Sequence, residues 1–205
     1  MGPGPWQKDV IAIPAVTVPK NALSFGAGYL FVAALGVTVP TNTVAGSVFT
    51  DAWPAGWNLW GVTREGHTLN VDIESDAVEA AEYVDPLLNV VTGRTITTEF
   101  EPMQINLTNF KRALNGGTLA TSGAGATLLS SFTLPKIGAE VRCQIGWEAV
   151  DNTERWWGLQ CFQTGSIGVQ RQKGADNASL PLTYTLEPDA TGEPIYIFGA
   201  GTTRG

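Results

Sequence analysis

Strict alternation of apolar and polar residues, repeated in separate stretches, commits much of this chain to half-buried β-strands. In 67–74, His67, Leu69, Val71 and Ile73 hold the odd positions, and Thr68, Asn70, Asp72 and Glu74 the even ones. Val141, Cys143, Ile145, Trp147 and Ala149 repeat the pattern, and 157–161 continues it with Trp157, Leu159 and Cys161. A looser version runs from Val90 to Glu101, with Val90, Ile96 and Phe100 on one side and Thr95, Thr97, Glu99 and Glu101 on the other. Each such strand needs one face against a core and leaves the other to water.

The connections follow from turn chemistry. Glu65-Gly66 predicts a hairpin turn between an aromatic-rich strand, Trp57 to Arg64, and the strand from His67. Asp151-Asn152-Thr153 predicts a second hairpin, with Trp147 opposite Trp157, Ile145 opposite Leu159 and Cys143 opposite Cys161. The chain contains one convincing helix, at about 106–115. Asn106 caps it, Leu107, Phe110 and Leu114 pack it onto the sheet, and Asn115-Gly116-Gly117 ends it. Residues 75–86 read as a solvated acidic loop or short helix. Residues 116–127 read as an exposed loop, and Leu128–Leu134, Gly165–Gln172, Asn177–Glu187 and Ile195–Phe198 as further strands.

The first fifty residues are of a different kind. Pro3, Pro5, Pro14 and Pro19 exclude a regular helix at the start, and residues 21–50 carry no charge. Phe25 to Val39 is apolar enough to weigh as a membrane span, but Gly26, Gly28, Gly36 and Pro40 argue instead for an arm and strand buried against the body or another subunit. No secretory leader is apparent, which makes the cytoplasm the default compartment and free, buried thiols the expectation for Cys143 and Cys161. No linker divides the chain, so 1–205 is expected to be one domain, with 1–50 as arm and 51–205 as a β-rich body.

A net charge of -7 opposes any surface that grips nucleic acid. His67 is the only histidine, and neither a nucleophile elbow nor a phosphate-binding glycine loop is present, so no catalytic, metal or cofactor site is expected. Two rival readings start from other residues. The tryptophans suggest an extracellular β-sandwich carbohydrate-binding or adhesion module, and Glu74, Asp76, Glu79 and Glu82 a carboxylate-dependent hydrolase.

The order of segments is itself informative. It comprises the proline-rich arm, Ala27-Gly28-Tyr29-Leu30-Phe31, Trp60-Gly61-Val62-Thr63-Arg64-Glu65-Gly66, the acidic run to Asp85-Pro86, Asn106 to Asn115, and Lys173-Gly174-Ala175-Asp176 to Leu186. Together these resemble the major tail proteins that form the tail tube of long-tailed bacteriophages, particularly those of actinobacterial hosts. The resemblance implies a mainly β, tail-tube-like sandwich or barrel with one flanking α-helix and an extended N-terminal arm, without the extra immunoglobulin-like domain that some relatives append. It implies a structural virion protein, assembled in the host cytoplasm into stacked hexameric rings through which DNA passes without specific binding. Tape-measure, tail terminator and distal tail proteins are its implied partners, with no membrane and no cofactor. On this reading Asp72, Glu74, Glu99 and Glu101 are expected to line the lumen. Tyr29, Leu30, Phe31, Val32, Glu79 and Glu82 are expected at contacts between subunits or rings.

Overall fold

The computed structural model describes residues 28–78, 88–168 and 180–201. It is mainly β, with a single α-helix among the described residues. The strands are β1 (Gly28–Ala34), β2 (Val44–Ala45), β3 (Val48–Phe49), β4 (Asn58–Leu59), β5 (Thr63–Val78), β6 (Leu88–Pro102), β7 (Thr118–Ser122), β8 (Leu129–Thr133), β9 (Cys143–Ala149), β10 (Glu154–Gln163), β11 (Leu182–Leu186) and β12 (Tyr196–Gly199). Eight of them form one antiparallel sheet in the order β4-β1-β9-β10-β11-β6-β5, with β12 also paired to β10. The edge strands β4 and β5 are separated in sequence by Trp60, Gly61 and Val62 alone, so the sheet curls until its two edges are nearly joined.

The inner face follows the alternation. Leu30 and Val32 of β1, Ile145, Trp147 and Ala149 of β9, Trp156 and Cys161 of β10, Leu182, Tyr184 and Leu186 of β11, and Ile96 and Phe100 of β6 share one buried cluster with Trp60. The helix, α1 (Leu107–Ala113), closes onto this cluster. Asn106 caps it by accepting from the Asn109 N–H at 2.8 Å. At the other end, Gly116 N–H bonds Lys111 O and Asn115 N–H bonds Arg112 O, with Asn115 at a positive φ of 52°. That pair of bonds is the Schellman stop, with the residue that the sequence signal named standing in the left-handed position.

The helix packs partly through the expected stripe, with Ala113 in the core cluster and Phe110 against it, and adds a buried residue that was not expected, Asn109. Leu107, Phe110 and Leu114 are half-buried, whereas Asn109 and Ala113 are buried. Asn109 is inside because its amide donates to Trp60 O at 3.2 Å and Gln104 O at 2.7 Å, holding the helix over the closing residue of the sheet. Tyr184 secures the far turn by donating to Arg112 O at 2.9 Å.

Four other expectations are corrected. Glu65-Gly66 is not a turn: β5 runs through it, the register against β6 shifts between Thr63 and His67, and Gly66 takes φ 83° within that bulge. Asn58–Leu59 pairs with β1 instead, and the partner of β5 is β6. Ser75–Val78 continues β5 as strand rather than loop, and 118–122 is a strand paired with β8. Neither has a buried face, so neither shows the period that marks a strand in sequence. Residues 164–168 are not strand, and the rest of that segment lies outside the described residues.

The β9–β10 register shows where parity reasoning fails. Cys143 does face Cys161, and both thiols are free. A bulge between Gly158 and Cys161 shifts the remainder, so Trp147 opposes Trp156, and Trp157 opposes Gly146. Trp157 therefore lies on the outer face, in a second cluster with Ala33 and Trp57. The chain from Val37 to Trp57 covers that outer face as a strap. Trp57 donates its indole N–H to Thr38 O at 2.9 Å, and Trp53 stacks on Phe31 with ring centroids 4.3 Å apart. Gly146 makes room, since a Cβ there would stand 2.2 Å from the Trp53 ring.

A buried cation pins the strap. Arg155, fully buried, pairs with Glu148 at 2.6 Å and Asp51 at 3.1 Å, and its guanidinium lies 4.1 Å from the Phe49 ring centroid. Trp53 donates to the same Glu148 carboxylate. Burial alone would raise the Asp51 carboxyl, but the Arg155 charge and backbone N–H bonds from Asp51 itself and Asn42 hold it below its ordinary value.

Candidate functional site

The strap covers the outer face of β1, β9 and β10. Across β11, β6 and β5 no described residue forms a comparable strap over the outer face. Antiparallel partners share a face, so the pairs Thr68 with Glu99, Asn70 with Thr97, Asp72 with Thr95, and Thr183 with Glu99 place these side chains together. Glu74, two residues beyond Asp72, and Glu101, two beyond Glu99, fall on it as well. Asp72, Glu74 and Glu99 are exposed, and Glu101 is half-buried with Arg64 4.0 Å away at the edge. The four carboxylates singled out in the sequence thus occupy one continuous surface, set among threonines and an asparagine.

Thr183 and Thr185 of β11 complete this face and were not singled out. The signal existed, because Leu182, Tyr184 and Leu186 alternate with them. What was missing was the knowledge that β11 lies beside β6.

Past Ile96, which pairs with Leu186, β6 loses β11 as a neighbour. From there β5 and β6 continue as a two-stranded arm with both faces in water, Ile73 being 62 % and Val91 63 % exposed. A second bulge between Glu74 and Ser75 puts Val90 opposite Asp76, on the acidic side rather than with Ile96 as alternation alone implied. Glu79 and Glu82 lie outside the described residues.

The other expected contact residues divide. Tyr29 is 52 % exposed and available to a neighbour, whereas Leu30 and Val32 are buried in the chain's own core and Phe31 is half-buried under Trp53. Because β1 alternates, Leu30 and Val32 turn to the core; the strap covers Phe31 and Ala33 on the other face, and Tyr29 lies exposed beyond it. Gly28–Ala34, within the stretch weighed as a membrane span, is a strand, and no helix among the described residues is long and apolar enough to cross a membrane.

The carbohydrate-binding reading loses its described tryptophans, and of the hydrolase candidates Glu79 and Glu82 lie outside the described residues. Trp57, Trp60, Trp147, Trp156 and Trp157 are buried and Trp53 is half-buried, which leaves no ring among these six free to stack on a sugar. Glu74 and Asp76 project from the arm, and no group of three His, Cys, Asp or Glu side chains among the described residues could hold a metal ion.

What the geometry offers, then, is surface. A family model described as phage tail tube protein matches residues 18–198. The chain belongs to that family. No curated protein matches it. As a tail tube protein it is a structural component of the phage tail that assembles with copies of itself into a tube.

His67 sits where the bare face meets the core. Its Nε2 accepts the Trp156 indole N–H at 3.2 Å, and its ring centroid is 4.9 Å from that of Trp147. The neutral ring therefore carries its proton on Nδ1. Burial lowers its pKa from 6.5 to about 4. The unfolded chain takes up this proton near pH 6.5 and the folded one only near 4, so stability falls as pH drops through that window. Full linkage would be about 3 kcal/mol, which solvent screening of a half-buried ring reduces to about 1–2 kcal/mol. Urea titrations at pH 7 and 4 should show a smaller acid loss for His67→Gln than for wild type. Equal losses would place the acid sensitivity elsewhere.

Proposed function

We propose that the whole chain acts as one tail-tube unit, six copies of which close into a ring, with rings stacking into the conduit for DNA ejection. The bare face of β5, β6 and β11 lines the lumen. The observation that carries this reading is that one half of the outer sheet is strapped and apolar, while the other half presents Asp72, Glu74, Glu99 and Glu101 among threonines. A wall bearing fixed negative charge repels the phosphate backbone and offers no base-reading contacts, so DNA slides without being held. The exposed Tyr29 side of β1 and the arm of β5 and β6 supply contacts to neighbouring copies.

Electron microscopy of the purified protein is expected to show rings or tubes. The triple substitution Asp72→Lys, Glu74→Lys and Glu99→Lys should leave tubes able to form yet raise their retention of double-stranded DNA by about tenfold or more at low salt, an effect that salt reverses. Unchanged retention, with a reconstruction placing these carboxylates on the outer wall, would overturn the assignment.

A further inference from the structure

The chain's two cysteines face one another across β9 and β10, and nothing in the tube reading uses them. Directly opposed residues of an antiparallel pair stand about 4.5–5.5 Å apart at Cα, within the span that a disulfide bridges. Their side chains leave the sheet on the same face, here the inner one, where Cys161 belongs to the core cluster and Cys143 packs against it. The bulge between Gly158 and Cys161 gives β10 slack at this point, and Gly158 keeps the space clear, since a Cβ there would stand 2.9 Å from Cys161 Sγ. Both thiols are free. Cys143 donates to Cys161 O at 3.8 Å and Cys161 to Gly158 O at 3.5 Å, so each spends its proton on a β10 carbonyl.

Access to the two differs. Cys161 is fully buried, whereas Cys143 is half-buried and lines a groove of about 600 Å³ between the end of β1, helix α1 and the start of β9. Leu35, Leu119 and Val141 make the groove apolar, and Lys111 and Arg112 stand at its rim. Neither cation has a carboxylate within salt-bridge distance among the described residues. Such a groove admits a small reagent that carries negative charge. Burial pushes the Cys143 thiol up to about 12 against the pull of the Arg112 charge, and burial pushes Cys161 up as well. Thiolate is scarce at neutral pH, which makes exchange slow, on the order of hours.

We propose that Cys143 and Cys161 form a reversible disulfide, with Cys143 attacking a small anionic disulfide, RSSR, held in the α1 groove and Cys161 resolving the product. The Cys143 thiolate attacks one sulfur of RSSR, breaks its S–S bond and releases RS⁻, which takes up the proton that Cys143 lost. The Cys161 thiolate then attacks the Cys143 sulfur of the mixed disulfide and expels the second RS⁻, which takes the Cys161 proton. Two protein thiols are oxidised, and one RSSR is reduced to two RSH. A reducing compartment keeps the pair open, and an oxidising one closes it. The closed bond restricts the unfolded chain and so stabilises the folded one. This chemistry needs only the folded chain, so its failure would leave the tube reading untouched.

The test incubates reduced wild-type protein, at mildly alkaline pH, with oxidised glutathione, which is anionic, or with cystamine, which is cationic. Mass spectrometry of the alkylated and digested chain should find a Cys143–Cys161 link, formed about tenfold faster with oxidised glutathione, and Lys111→Gln should narrow that ratio. The oxidised chain should melt about 5–10 °C above the reduced one, and dithiothreitol should reverse the shift. Cys161→Ala should stop at a mixed disulfide on Cys143, whereas Cys143→Ala should gain no adduct. The wild-type time course reads the same order without a variant, as an adduct on Cys143 that precedes the link. Thiols still free after about a day in both reagents, adducts arriving first on Cys161, or equal rates with the two reagents would overturn the proposal.

Discussion

Replacing Arg155 with Met should cost about 3–5 kcal/mol of folding stability, read by urea titration of the tryptophan emission at neutral pH. The volume is nearly kept, so the loss is electrostatic. Glu148 is 8 % exposed and would be left with the Trp53 indole but no cation, and the Asp51 carboxyl would lose the charge that lowers its pKa. The strap carrying Phe49, Trp53 and Trp57 would lose its anchor to β10. Because the penalty is the uncompensated carboxylate and not the missing attraction, adding Glu148→Gln and Asp51→Asn to Arg155→Met should recover much of the stability. A loss below about 1 kcal/mol in the single variant would mean that these pairs behave like exposed ones.

Trp60 should show a comparable effect with a sharper distinction between substitutions. It is 1 % exposed, bridges the two edges of the curled sheet, and packs on Phe100 and Tyr184 with ring centroids at 5.3 and 6.1 Å. Its N–H bonds Leu30 O at 2.9 Å, and its carbonyl takes the Asn109 amide. Trp60→Ala opens a cavity beneath α1 and should cost about 3–5 kcal/mol. The indole N–H, however, finds no acceptor among the described residues. Trp60→Phe therefore gives up volume without breaking a hydrogen bond and should cost about 1–2 kcal/mol, less than half of the alanine loss. Equal losses for the two would show that the indole itself is indispensable. Thermal melts of the two variants beside wild type measure the difference.

The sequence was informative wherever one face of an element is buried and the other wet. In 67–74, His67 and Leu69 pack toward the core while Val71 and Ile73 keep the same alternation although exposed, and the acidic face of even residues could be named from that pattern alone. Asn106 and Asn115 marked the helix ends because capping is local chemistry between residues three to five apart. The order of segments was enough to suggest the family, which the match over residues 18–198 establishes.

What the chain's own order did not contain was adjacency. Two bulges, at Glu65-Gly66 and between Gly158 and Cys161, turned a supposed hairpin into one long strand and moved Trp157 to the opposite face from Trp147. The first spends four residues of β5 against two of β6 and keeps the facing, whereas the second adds a single residue to β10, and a single-residue shift inverts every later side-chain direction. The strap over β9 made a strand that alternates in sequence buried on both sides, since Gln144, Gly146 and Glu148 are covered as fully as Ile145 and Trp147. Local pattern determined which residues form strands, where the helix starts and stops, and which carboxylates share a face. Only the tertiary structure decided that β11 extends that face, that Arg155 pins the strap, and that a groove beside α1 opens onto Cys143. Those relations join residues tens of positions apart, and no periodicity within one segment encodes them.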